Sequence, residues 1–185
     1  IEIYHNPNNI LTLPLGGVGI EELPAAALEN CENLYVNNNI LKTFPDFTQF
    51  VPNVRLLDVR ENNFTLGDEP TLRKFNSSVL ALIPTTVREI RFGNTFNGSI
   101  TADLTTLTSL LTLNLNGHSR GGAFNYFDQD AEDPTGAGPE VATTCQNYYL
   151  YRNSFNSVPQ SVKDLPDLRQ INIYSNSITD DSMQF

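Results

Sequence analysis

Asn39, Asn62, Asn94, Asn153 and Asn176 each follow a short apolar alternation, and each is followed two positions later by Leu41, Phe64, Phe96, Phe155 or Ile178. The shared frame is L-x-L-x-x-N-x-L. It fits Leu34-Tyr-Val36-Asn-Asn-Asn39, Leu57-Asp-Val59-Arg-Glu-Asn62, Tyr148-Tyr-Leu150-Tyr-Arg-Asn153 and Ile171-Asn-Ile173-Tyr-Ser-Asn176. Leu113-Asn-Leu115-Asn-Gly-His118 fits with His in the Asn position, Ile90-Arg-Phe92-Gly-Asn94 is one residue short, and Ile1-Glu-Ile3-Tyr-His-Asn6 completes a set of seven. Such a period marks a stacked repeat, because each unit is one small element that cannot bury its apolar face alone.

Leu34 and Val36, or Ile171 and Ile173, alternate with polar neighbours at period two, which predicts short strands with one buried face. A lone strand leaves its backbone groups unpaired, so the units must stack into one parallel sheet. Successive Asn positions lie 33 (6 to 39), 23 (39 to 62), 32 (62 to 94), 24 (94 to 118), 35 (118 to 153) and 23 (153 to 176) residues apart. Long and short units alternate, and the long ones predict inserts that project from one side at every second rung. The longest insert, Gly121 to Pro139, is rich in Gly, Asp and Pro and reads as a surface loop.

This frame resembles the leucine-rich repeat family. The run from Asn94 through Phe96, Gly98, Ile100, Leu104, Leu107 and Leu110 to Leu113 and Leu115 is similar to the plant-type, extracellular variant, with Thr101 where that pattern carries Pro. The resemblance covers nearly the whole chain. It implies one domain over residues 1–185, an α/β repeat solenoid of about seven right-handed turns bent into a horseshoe, with short parallel strands on its concave face. It also implies an inward ladder of Asn6, Asn39, Asn62, Asn94, His118, Asn153 and Asn176, whose side chains bond the backbone of adjacent turns. The convex side is expected to be irregular or 3₁₀ with little regular helix, because runs such as FPDFTQFVPNV hold too much Pro and aromatic residue for long helices. No polar or Cys-paired flanking module is legible at either end. That predicts an excerpt of a longer array, or a unit whose ends stack head to tail on other copies through Ile1, Ile3, Ile171 and Ile173.

Composition narrows the function. Charged residues make up only 17% of the chain and the formal net charge is -10, so polarity is carried mainly by amides and hydroxyls. A chain this acidic is repelled by phosphate backbones and anionic lipid, which argues against nucleic acid and membrane surfaces as partners. No apolar run approaches the roughly 20 residues needed to span a bilayer. Catalysis has little to stand on: there are two histidines, His5 and His118, no Gly-x-Ser-x-Gly, and no phosphate-cradling loop. We expect no enzyme, no cofactor and no metal. The run Asp128-Gln-Asp130-Ala-Glu132-Asp133 departs from a calcium loop and reads as solvated acid.

Cys31 and Cys145 sit at equivalent positions, eight residues before Asn39 and Asn153. Four rungs at about 4.8 Å put them near 19 Å apart, too far for a disulfide, so both read as buried free thiols. Asn63, Asn76 and Asn97 begin N-glycosylation sequons and fall in turns or inserts, which predicts secretion and N-linked glycan. On the concave face the strands present Tyr4, Tyr35, Asn37, Asp58, Arg60, Arg91, Asn114, Asn116, Tyr149, Tyr151, Asn172 and Tyr174. Such a surface offers flat stacking area and amide hydrogen bonds to a protein or glycan, or else its rings merely stack on one another. The sequence thus predicts a non-catalytic extracellular or cell-surface module. Its first reading is a structural unit that self-associates end to end into a fibre, appendage or matrix; its second is recognition of a protein or glycan on the concave face.

Overall fold

The computed structural model describes residues 9–62, 64, 75–93, 100, 102–116, 137–153 and 155–179. Outside them lie the expected first rung Ile1, Ile3, Tyr4 and Asn6, the ladder positions Asn94 and His118, the sequons Asn63 and Asn97, and most of the 121–139 insert. The described residues form one α/β repeat unit built on a single parallel sheet. Its strands are β1 (Thr12–Pro14), β2 (Asn33–Tyr35), β3 (Leu56–Asp58), β4 (Glu89–Arg91), β5 (Thr112–Asn114), β6 (Asn147–Tyr149) and β7 (Gln170–Asn172). They lie side by side in chain order. Register is unbroken: Leu13, Leu34, Leu57, Ile90, Leu113, Tyr148 and Ile171 occupy one column.

Two local devices recur along the described units. Before the strand, a turn closes from a backbone N–H to the carbonyl three residues earlier, as in Cys31 to Leu28, Val54 to Val51, Leu110 to Leu107 and Cys145 to Ala142. Its apolar ends face the core, so the chain reverses without exposing them. After the strand, Asn38, Glu61, Arg152 and Ser175 each take the left-handed conformation, at φ between 55 and 60°. That kink ends the ladder and swings the next residue, Asn39, Asn62, Asn153 or Asn176, inward.

β1 corrects the sequence reading. It falls within what the asparagine spacing treats as an insert between Asn6 and Asn39, yet Leu13 pairs with Leu34 and the Leu15 N–H bonds the Tyr35 carbonyl at 2.7 Å. The expected Asn is here Val18, which is exposed because it has no polar group to turn inward. The long first interval therefore holds a rung, and the alternation of long and short units does not extend to it.

The opposite side carries three single turns, α1 (Phe47–Phe50), α2 (Ser77–Leu80) and α3 (Gln160–Lys163). Each is α-helical where irregular or 3₁₀ backbone was expected, and at four residues apiece they make up the little regular helix expected. Side-chain caps help explain this: Asp46 accepts from the N–H groups of Thr48 and Gln49, and Asn76 accepts from that of Val79. Between the layers lies a phenylalanine cluster. Phe44 meets Phe47 and Phe64 edge-on with centroids 5.2 Å apart in each pair, and Phe75 meets Phe92 at 5.0 Å. Each such contact adds about 0.5–1.5 kcal/mol beyond the burial of the rings. Tyr148 takes a Leu position and is fully buried, so its hydroxyl needs a partner and donates to the Pro139 carbonyl at 2.8 Å. Gly138 makes the room, since a Cβ there would sit 2.5 Å from that hydroxyl.

Candidate functional site

Alternate strand residues point away from the core, giving the sheet three outward columns. One runs through Thr12, Asn33, Leu56, Glu89, Thr112, Asn147 and Gln170, and the next through Pro14, Tyr35, Asp58, Arg91, Asn114, Tyr149 and Asn172. The third, two residues further on, holds Gly16, Asn37, Arg60, Gly93, Asn116, Tyr151 and Tyr174.

A charged cluster occupies the middle of this face. Arg60 donates from Nε to Asp58 Oδ1 at 2.9 Å and from Nη2 to Oδ2 at 2.6 Å, a bidentate pair. Arg91 lies 3.6 Å from the same Asp58 oxygen and donates from Nε to Glu89 at 2.6 Å. The Asp58 side chain is only 1% exposed, against 39% for Arg60 and 28% for Arg91. Asp58 was expected on the binding face. Alternation does send it outward, but Arg60 folds back over it, and the outward groups are the two guanidiniums it holds. Nearby, Gly93 serves the backbone: an added Cβ would meet the Asn116 carbonyl oxygen at 2.1 Å, so the next rung approaches too closely for a side chain there. The hydrogen bond that Arg60 donates to Asp58, more than any other influence, raises the Arg60 pKa. That secures its charge.

At the β6–β7 end the face is aromatic. The Tyr151 and Tyr174 rings stack with planes 6° apart and centroids 5.2 Å apart, a separation set by the rung spacing. The Arg152 guanidinium lies 5.6 Å from the Tyr151 centroid. Tyr149 donates its hydroxyl to Gln170, and Asn116 Oδ1 accepts from the Tyr151 N–H at 3.1 Å. Tyr174 is 55% exposed, whereas Tyr35, Asn37, Asn114, Asn116, Tyr149, Tyr151 and Asn172 are half-buried.

Beneath this face the asparagines turn inward. Asn62 Nδ2 donates to the carbonyls of Val36 and Val59, at 2.8 and 2.9 Å, while its Oδ1 accepts from the Leu41 N–H. Asn39 bonds the carbonyls of Leu15 and Val36 and accepts from the Ile20 N–H. Asn153 bonds those of Leu115 and Leu150, and Asn176 those of Leu150 and Ile173. The Val36 and Leu150 carbonyls thus each accept from two successive asparagines. The sharing of carbonyls and the left-handed residue before each asparagine were not read from sequence. Only Asn38 is of a type that favours that conformation.

Cys31 and Cys145 are free and fully buried. Each donates its thiol to the carbonyl two residues on, in Asn33 and Asn147. Burial pushes the Cys145 pKa up to about 11 and raises that of Cys31. Asn76 sits half-buried at the start of α2, away from the strands. Ile171 and Ile173 are only half-buried, whereas their column partners Tyr148 and Leu150 are fully so. Among the described residues, no three His, Cys, Asp or Glu side chains gather as a metal would need. No helix among them is long and apolar enough to cross a membrane.

No protein-family model matches the sequence, and no curated protein matches it.

Proposed function

We propose that the chain is a leucine-rich-repeat module, a right-handed solenoid that curves into a horseshoe, and that it works without catalysis as an extracellular recognition surface. The in-register parallel strands, one per unit, and the asparagines bonding successive rungs support the family assignment. The sequon at Asn76, at an accessible helix start, supports secretion. The observation that carries recognition is the strand face itself, where Arg60 and Arg91 are oriented by a buried carboxylate and Tyr151 and Tyr174 stand in a fixed stack. Side chains already held in one geometry lose little entropy when a ligand arrives. The test is binding of the full chain to arrayed proteins and glycans. Tyr151→Ala with Tyr174→Ala should abolish the signal while Gln49→Ala on α1 keeps it. Equal loss in both variants, or none in either, refutes the reading.

A second reading, end-to-end assembly into a fibre, appendage or matrix, is favoured by the half-buried Ile171 and Ile173 at β7, an edge strand among the described residues. The motif Ile1-Glu-Ile3-Tyr-His-Asn6 is similar in sequence to Ile171-Asn-Ile173-Tyr-Ser-Asn176 around β7. Ile173→Glu should then reduce sedimenting polymers to single chains, and a wild-type protein that sediments only as single chains removes this reading.

A further inference from the structure

The third outward column is a lane. From Arg60 it passes over the bare Gly93 and past Asn116 to Tyr151 and Tyr174, four rungs or about 19 Å. Its two ends differ in chemistry. At one, Arg60 spends two donors on Asp58 and keeps the rest of its five-donor fork. At the other, two parallel rings stand together and Tyr174 is well exposed, with Arg152 over Tyr151. Between them lie Gly93, where the Asn116 carbonyl fills the space a side chain would take, and the Asn116 amide.

We propose that this lane binds an acidic oligosaccharide, a chain of carboxylated sugars, with a sugar ring against the Tyr151–Tyr174 stack, hydroxyls on Asn116, and a carboxylate on the Arg60 fork. The inference rests on the recognition reading above and names its ligand class. Two observations point to this class. The outward positions of β4 to β7 carry no Leu, Ile, Val, Met or Phe, so the apolar surface there is that of the tyrosine rings. What apolar surface the lane has is planar, suited to the C–H face of a sugar ring, and its remaining groups pair with hydroxyls and carboxylates. A single-stranded nucleic acid would also stack on tyrosine, but it needs cations tracking every phosphate. Along this lane cations stand only at the two ends, at Arg60 and Arg152.

The test is calorimetric titration of the full chain with tetragalacturonate and tetramannuronate. Their methyl esters, which keep the rings and lose the charge, are the controls, and a single-stranded oligonucleotide is the competitor class. We expect at least one free acid to bind about tenfold or more tighter than its ester, and the preference to fade as salt shortens the Debye length. Arg60→Gln should erase the acid preference, Arg152→Gln should weaken it, and Tyr174→Ala should weaken acid and ester alike. Arg60→Gln removes a partner from a buried carboxylate, so its circular dichroism is compared with wild type first, and Tyr174→Ala, at an exposed side chain, tests the site independently. No binding of either acid, equal binding of acid and ester, tighter binding of the oligonucleotide, or indifference to Tyr174→Ala overturns the inference. Array ligands lost on Tyr151→Ala would in that event keep the recognition reading alive, and an array with no such ligand would remove both.

Discussion

Asn62→Ala is the sharpest test of how the rungs are held. The substitution removes two donations, to Val36 and Val59, and one acceptance, from the Leu41 N–H. Each lost hydrogen bond costs about 0.5–1.5 kcal/mol net. The carbonyls fare better than the amide. Val36 O keeps its 2.9 Å bond from Asn39, so it is not orphaned. The Leu41 N–H belongs to a residue 1% exposed, where water does not replace the lost acceptor, and an unsatisfied buried donor costs about 1–3 kcal/mol. The sum is about 3–4 kcal/mol, a large part of a domain's stability. Asn176→Ala cuts equivalent bonds, including acceptance from the buried Phe155 N–H, but Asn176 is half-buried on the last described rung, where water can reach its carbonyl partners, so a smaller loss of about 2 kcal/mol is expected there. Urea unfolding followed by circular dichroism reads both variants. At a slope of about 2 kcal/mol/M, Asn62→Ala should lower the midpoint by about 1.5–2 M with the slope unchanged. A loss below about 1 kcal/mol, or one equal to that of Asn176→Ala, would refute this account of the ladder.

Gly138→Ala should destabilise by about 1–3 kcal/mol through overpacking, since its Cβ would lie 2.5 Å from the Tyr148 hydroxyl. Tyr148→Phe relieves that contact at the expense of the bond to Pro139, so a thermal double-mutant cycle should show coupling, and strict additivity would mean the hydroxyl is not what Gly138 accommodates. Gly93→Ala should cost more, about 3 kcal/mol or above, because the clash at 2.1 Å is with backbone; a variant of wild-type melting temperature would show that Gly93 is not required. The Cys145 thiol has its folded-state pKa raised to about 11 by burial, so the folded state holds its proton longer than the unfolded state does. Its contribution is therefore constant below about pH 9, and stability falls as pH rises from there to about 11. Unfolding midpoints that stay flat across that window would contradict the burial, as would alkylation of native protein at the rate seen in urea.

Six of the seven described strands were legible, for a physical reason. Leu34, Leu57, Ile90, Leu113, Tyr148 and Ile171 alternate with polar neighbours because one face of each strand is buried, and that requirement is written locally. β1 escaped because its rung carries Pro14, Gly16, Gly17 and Val18 where others carry polar residues and Asn, and a search keyed on Asn passes over it. The burial of Asp58 escaped for a different reason. Period-two alternation reports direction alone, and whether an outward side chain reaches solvent depends on what its neighbours do. Arg60 is only two residues away, yet alternation does not say that its guanidinium folds back over the carboxylate. The α-helical character of α1 and α2 was carried by Asp46 and Asn76, which have the residue type of an N-cap and were passed over among the prolines.

The buried ladder and the outward face are mechanically one object. Asn153, besides its bonds to Leu115 and Leu150, reaches the Tyr151 carbonyl at 3.4 Å, and Asn176 reaches that of Tyr174 at 3.5 Å. On the outer side, Asn116 accepts from the Tyr151 N–H. The two stacked tyrosines are therefore mounted on backbone that is bonded from within and from the neighbouring rung. The rung spacing then brings their rings to 5.2 Å without either side chain having to search for the other. The same holds for the Arg60–Asp58 pair, where the partners sit two residues apart and the guanidinium is closed over the carboxylate by two hydrogen bonds. Ordering that would otherwise be lost at binding is thus lost at folding, where the hydrophobic column from Leu13 to Ile171 offsets it. A repeat fold is suited to this because one backbone solution, copied at each rung, fixes the spacing of every outward side chain, leaving sequence free to vary what those side chains are.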